Sequence, residues 1–204
     1  MKFSIVAALI ALSAASVSAA DETFSGTIYV YANNLEHPKT TFVKRGSGTS
    51  VVTNGIACNG NQTLPGRDYS LAGTFTTVKN QWDFNGQHDN EIAMGYVKVG
   101  KQFCLSLTKD SPLSLEQCPP ANEEIKAGSK FAWFHDKRGS SIWAYGGDAN
   151  AEENNGFVFE TTDLQTTDKP LTGKVSSDNP DVNAFLSLGH VNMGNTGKPP
   201  KGCQ

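Results

Sequence analysis

Residues 95–143 read GYVKVGKQFCLSLTKDSPLSLEQCPPANEEIKAGSKFAWFHDKRGSSIW. β-branched and aromatic residues dominate the runs at 91–99, 103–107, 113–117 and 130–134, and apolar and polar residues alternate along them. That period of two lays one face of a half-buried strand on a core. Asp110-Ser111-Pro112, Pro119-Pro120 and Arg138-Gly139-Ser140 separate the runs, and each is a turn former. The only helix candidate is ANEEIKA at 121–127, too short and too poorly patterned for more than a turn or two. These features predict an all-β chain.

The rest of the sequence has the same texture. Further strands are expected at 27–32, 40–45, 50–53, 69–78, 140–145, 156–161, 171–176 and 184–191, again between turn-forming pairs such as Asn-Gly, Gly-Gly and Asn-Pro. About twelve short strands in one chain is a barrel or sandwich count. An Ile followed by a Tyr recurs at Ile28 and Tyr31, Ile92 and Tyr96, and Ile142 and Tyr145, at spacings of 64 and 50 residues. Phe84 and Phe134 each stand eight residues before the second and third Ile. The chain thus reads either as three units of about fifty residues or as strands of similar composition in any β protein.

Within 95–143 the order is Cys104-Leu105, then Leu113-x-Leu115-x-x-Cys118, then Phe131-x-Trp133, then Gly139-x-x-Ile142. This succession resembles one repeat of a ricin-B-type β-trefoil lectin. The resemblance implies a β-trefoil-like barrel, with a β-sandwich as the alternative. It also implies a sugar site built from an acid after the Cys-Leu strand, an aromatic platform and an amide, roles that fall to Asp110 as the acid and Asn122 as the amide. The sequence departs from the family in placing Phe131 where its Gln-x-Trp signature has Gln, and no aromatic lies between Cys104 and Cys118 as a platform.

A second candidate site follows from alternation. Trp82, Trp133 and Trp143 are expected in the core or bottom layer of the barrel, with an exposed stacking platform as the alternative for Trp143. Trp143 follows Ile142, so if Ile142 points inward Trp143 points outward. The loop after it, GGDANAEENN, offers Asp148, Asn150, Asn154 and Asn155 as partners for sugar hydroxyls.

The N-terminus places Lys2 before the apolar run 3–12 and the small-residue stretch SAASVSAA, the pattern of a secretory signal peptide over 1–20. The apolar core falls short of the ~20 residues that cross a bilayer. A single domain over 21–204 is the expectation, exported, extracellular and not inserted in a membrane. Lys2 takes one of the 17 basic residues with it, leaving 16 against 20 acidic ones. That balance, without blocks of like charge, removes the main driving force for nucleic-acid binding.

Cys58, Cys104, Cys118 and Cys203 all lie in the exported part, where thiols pair. The short interval from Cys104 to Cys118 suits a bridge between neighbouring strands and leaves Cys58 for Cys203. Asn61 heads the sequon Asn61-Gln62-Thr63 in a turn-rich stretch and is the expected glycosylation site. No CxxC or HExxH pattern is present, nor a GxSxG elbow or phosphate loop, so neither a metal, a cofactor nor an enzymatic reaction is expected. The reading is a secreted binding protein whose leading partner is a cell-wall or glycoprotein glycan. Exported β-trefoils, those of fungi among them, also include protease inhibitors, and an extracellular effector or antigen without a small ligand is the third reading.

Overall fold

The computed structural model describes residues 23–32, 39–59, 71–78, 91–120, 123–126, 128–138, 141–144, 156–160, 164, 167–175 and 183–189. Thirteen strands follow in order: β1 (Thr23–Ala32), β2 (Lys39–Arg45), β3 (Val51–Asn59), β4 (Ala72–Thr77), β5 (Ile92–Val99), β6 (Phe103–Ser106), β7 (Ser114–Gln117), β8 (Trp133–Asp136), β9 (Ser141–Trp143), β10 (Phe157–Glu160), β11 (Thr167–Pro170), β12 (Lys174–Val175) and β13 (Asn183–Gly189). The described residues form no α-helix.

Six of the strands close on themselves. The ladder runs β1–β4–β5–β8–β9–β13 and returns to β1 through the β1–β13 pairing, which holds register from Thr27↔Gly189 to Ala32↔Ala184. A closed ladder has no barrel edge to protect, and it replaces the two open sheets of the sandwich alternative with an all-β barrel. β1 and β4, β5 and β8, and β9 and β13 supply the barrel, while further strands between the members of each pair extend from it. Ile28, Ile92 and Ile142 lie on β1, β5 and β9, three of the six barrel strands.

Cross-strand partners share a face of the sheet. Ile28↔Leu188, Phe75↔Val97 and Ile142↔Leu186 are such pairs, and each of these six side chains is at most 1% exposed. They fill the barrel, at roughly 1.5–3 kcal/mol for each large apolar side chain removed from water. Trp133 is also buried, as expected, and its indole Nε1–H donates to the Leu105 carbonyl at 3.1 Å, tying β8 to β6.

The three excursions meet at one cap. The Val51 N–H donates to the Leu113 carbonyl at 2.9 Å, the Leu113 N–H to the Leu171 carbonyl at 2.7 Å, and β11 pairs with β3. Val51, Leu113 and Leu171, one from each unit, are fully buried there. Each exchanges backbone bonds across the cap because an unpaired polar group in so dry a place would be costly.

Each of the twelve expected strands overlaps an observed one, with shifted bounds: β3 runs on to Asn59, and of the described residues in 171–176 only Lys174 and Val175 form a strand. The strand expected at 130–134 begins at Trp133, after a turn in which the Ala132 N–H bonds to the Ser129 carbonyl. At 123–126 the backbone makes no helical turn, and Ile125 anchors it as a buried side chain. The thirteenth strand, β11, carries the polar sequence TDKP and pairs with β3 across a register shift. Cys104 and Cys118 form the expected disulfide, Cα atoms 4.9 Å apart. Cys58 falls on β3, but its side chain and Cys203 lie outside the described residues, as do the leader, Trp82 and Asn61.

Candidate functional site

Trp143 takes the core reading and not the alternative of an exposed platform. Ile142 points into the barrel and Trp143 to the other side, as alternation requires, yet Trp143 is only 8% exposed. Its ring stacks on Phe134 of the paired strand, centroids 6.0 Å apart. Gly156, at φ +85°, packs on it so closely that a Cβ there would strike the indole. A side chain so covered presents no open face, so Trp143 is a packing residue and not an exposed platform. The reason is that β9 is covered on both sides, which alternation alone cannot reveal. Asp148, Asn150, Asn154 and Asn155, its proposed partners, lie outside the described residues, as does Asn122.

Asp110 sits in the connection between β6 and β7, on the left-handed side of backbone space at φ +56°. Its carboxylate accepts from Lys174 Nζ at 2.8 Å, and its N–H donates to the Gly173 carbonyl at 2.9 Å. The nearby negative charge raises the Lys174 pKa above its usual value. Asp110 therefore pins 173–174 against the hairpin turn, a structural role for the position the family resemblance assigned to sugar.

The β6–β7 hairpin instead gathers polar side chains that the sequence reading did not single out. Its register is Phe103↔Gln117, Cys104↔Glu116, Leu105↔Leu115 and Ser106↔Ser114. Leu105 and Leu115 pack in the core, so Ser106, Ser114 and Glu116 share the opposite face. There Glu116 Oε1 accepts from the Ser106 hydroxyl at 2.7 Å and from Ser114 at 3.3 Å, while Oε2 takes Lys130 Nζ at 2.6 Å. Lys130 also lies 5.2 Å from the centre of the half-buried Phe131 ring. The Lys130 hydrogen bond, helped by the two hydroxyls and opposed by partial burial, holds the Glu116 pKa below 4.5. Glu116 is thus an ionised acceptor held by two hydroxyls and by Lys130, whose ammonium also lies near the Phe131 ring. The alternation of Leu113 and Leu115 with Ser114 and Glu116 was the signal that could have found it.

On the core side, the hairpin ends in an open pocket of ≈ 320 Å³ lined by Lys101, Gln102, Phe103, Gln117 and Cys118. Arg45 from β2 lies over the Phe103 ring, its guanidinium carbon 4.6 Å from the centroid. Among the described residues no three His, Cys, Asp or Glu side chains converge as a metal site.

No family model matches this chain, and no curated protein does so either.

Proposed function

We propose that this chain is an exported, non-enzymatic glycan-binding protein on a ricin-B-like β-trefoil plan, with its sugar contact on the β6–β7 hairpin. A sugar presents hydroxyls along its rim and C–H groups on its faces, so its site combines fixed polar groups with an aromatic surface. Glu116, held by Ser106, Ser114 and Lys130 beside Phe131, is the observation that supports the reading. It lies within 95–143, the part of the chain in which the family resemblance is clearest. In this assignment Glu116 takes the acidic role once given to Asp110, and Phe131 takes the aromatic one once given to Trp143.

Export is supported by the leader pattern at 1–20 and fits the Cys104–Cys118 disulfide, since such bridges persist in oxidising compartments. A second bridge from Cys58 to Cys203 and a glycan on Asn61 belong to the same proposal. The test is retention of the secreted protein on immobilised chitin, β-glucan, mannan and glycoprotein glycans, with a protease panel assayed in parallel. Retention on at least one glycan is expected. Inhibition of a protease without any retention would move the chain to the inhibitor class.

A further inference from the structure

We infer that the pocket beside the Cys104–Cys118 disulfide is a second binding site, selective for a sugar that carries a carboxylate. Its Phe103 and Gln117 side chains lie on the opposite face of the hairpin from Glu116, and nothing in the Glu116 reading requires the pocket.

The backbone builds this pocket from the β5–β6 turn and the end of β7. Gly100, at φ +68°, opens the tight connection of β5 to β6, where glycine avoids the steric penalty of a left-handed backbone. Lys98 and Val99 pair with Cys104 and Phe103 across it, leaving Lys101 and Gln102 at its exposed tip. The Cys118 N–H then donates to the Gln102 carbonyl at 2.8 Å, and the disulfide clamps the same end. Phe103 and Gln117 are direct cross-strand partners that carry the core face of Leu105 and Leu115 out to the surface. The pocket floor is therefore fixed by backbone pairing and a covalent bond, with exposed amide and ammonium side chains around it.

Its chemistry is one-sided. Two amides, Gln102 and Gln117, each offer donors and an acceptor, Phe103 supplies an apolar wall, and Lys101 supplies a positive charge. Arg45 adds a second cation against the Phe103 ring. No carboxylate is among the described residues that line the pocket. Glu116, next to Gln117 in sequence, points to the other face and is held there by Lys130. Among the described residues neither Arg45 nor Lys101 forms an ion pair. An aromatic wall, two amides and the Lys101 ammonium, with the Arg45 guanidinium stacked on the Phe103 ring nearby, match a pyranose bearing a carboxylate. A neutral hexose would leave the cations without a counter-charge, and a bare inorganic anion would make no use of the ring.

The experiment is calorimetric titration of the full exported protein with a galacturonate hexamer and with its fully methyl-esterified form, at low and physiological salt. The acid form should bind, and more weakly as salt rises, because exposed charges are screened. The ester should bind about tenfold more weakly or worse, the loss expected when a charge-assisted hydrogen bond is removed. Lys101→Met and Arg45→Gln should each weaken the acid form with unchanged melting, since both side chains are exposed. Glu116→Gln should leave uronate binding unaltered, which separates this site from the one proposed above. Equal binding of acid and ester, absence of binding by either, or full affinity in both the Lys101 and Arg45 variants would overturn the inference.

Discussion

Trp143 and Phe134 stack across the β8–β9 ladder, ring centroids 6.0 Å apart and planes 25° from parallel, with both side chains buried. The barrel wall here is covered on its outer side as well as its inner one. Trp143→Ala should therefore cost about 3–5 kcal/mol of stability, as for a buried aromatic truncated in a core. Denaturant unfolding measures it, and an unchanged midpoint would contradict the packing role.

Trp133 tests a different kind of attachment. Trp133→Phe keeps most of the ring in the barrel but leaves the Leu105 carbonyl without its indole donor. An unsatisfied buried acceptor costs about 1–3 kcal/mol, in addition to the lost volume. Trp133→Phe should thus be clearly destabilising, and a loss below about 0.5 kcal/mol would show that the bond contributes little.

The Cys104–Cys118 bridge closes a short loop that carries part of each candidate site. Replacing both cysteines by Ala should lower stability by about 2–4 kcal/mol through the freer unfolded chain. It should also weaken the uronate binding proposed for the pocket, whose wall includes Cys118. Thermal melts with and without reductant supply a first check on the native protein.

Acid should act on the hairpin through Glu116. Its folded-state pKa is depressed, mainly by Lys130, so the unfolded chain binds more protons in the acid range and stability rises with pH there. The stabilisation is present at neutral pH and is lost as pH falls through the lowered folded value. Both partners are partly exposed, so the effect is small and screened by salt. Comparing unfolding of the native protein and Glu116→Gln from pH 7 to pH 3 should show the two curves converging at the acid end. A gap that widens on acidification would reverse the sign.

Strand placement was legible because buried β-strands announce themselves through alternation and β-branched or aromatic residues, as at 91–99 and 113–117. The polar β11 gave no such signal, since its identity comes from pairing with β3 and from the adjoining Leu171 in the cap. Alternation also gave the side of the sheet on which Trp143 lies. It could not say what packs there, because exposure depends on neighbours distant in sequence such as Gly156. Glu116 was hidden for the same reason. Its partners Ser106 and Lys130 stand 10 and 14 residues away, and only the hairpin register and the turn at 128–131 bring them together.

The most direct test titrates whichever glycan retains the native protein into Glu116→Gln and Phe131→Ala, with melting curves alongside. Phe131→Ala should lose about 0.5–1.5 kcal/mol of binding from the missing ring contact. Glu116→Gln should lose about 1.5–3 kcal/mol, the range for hydrogen bonds to a charged group. The folded state should persist in both variants. Native affinity in both, with the glycan still bound, would place the sugar elsewhere on the barrel and contradict the assignment of this hairpin.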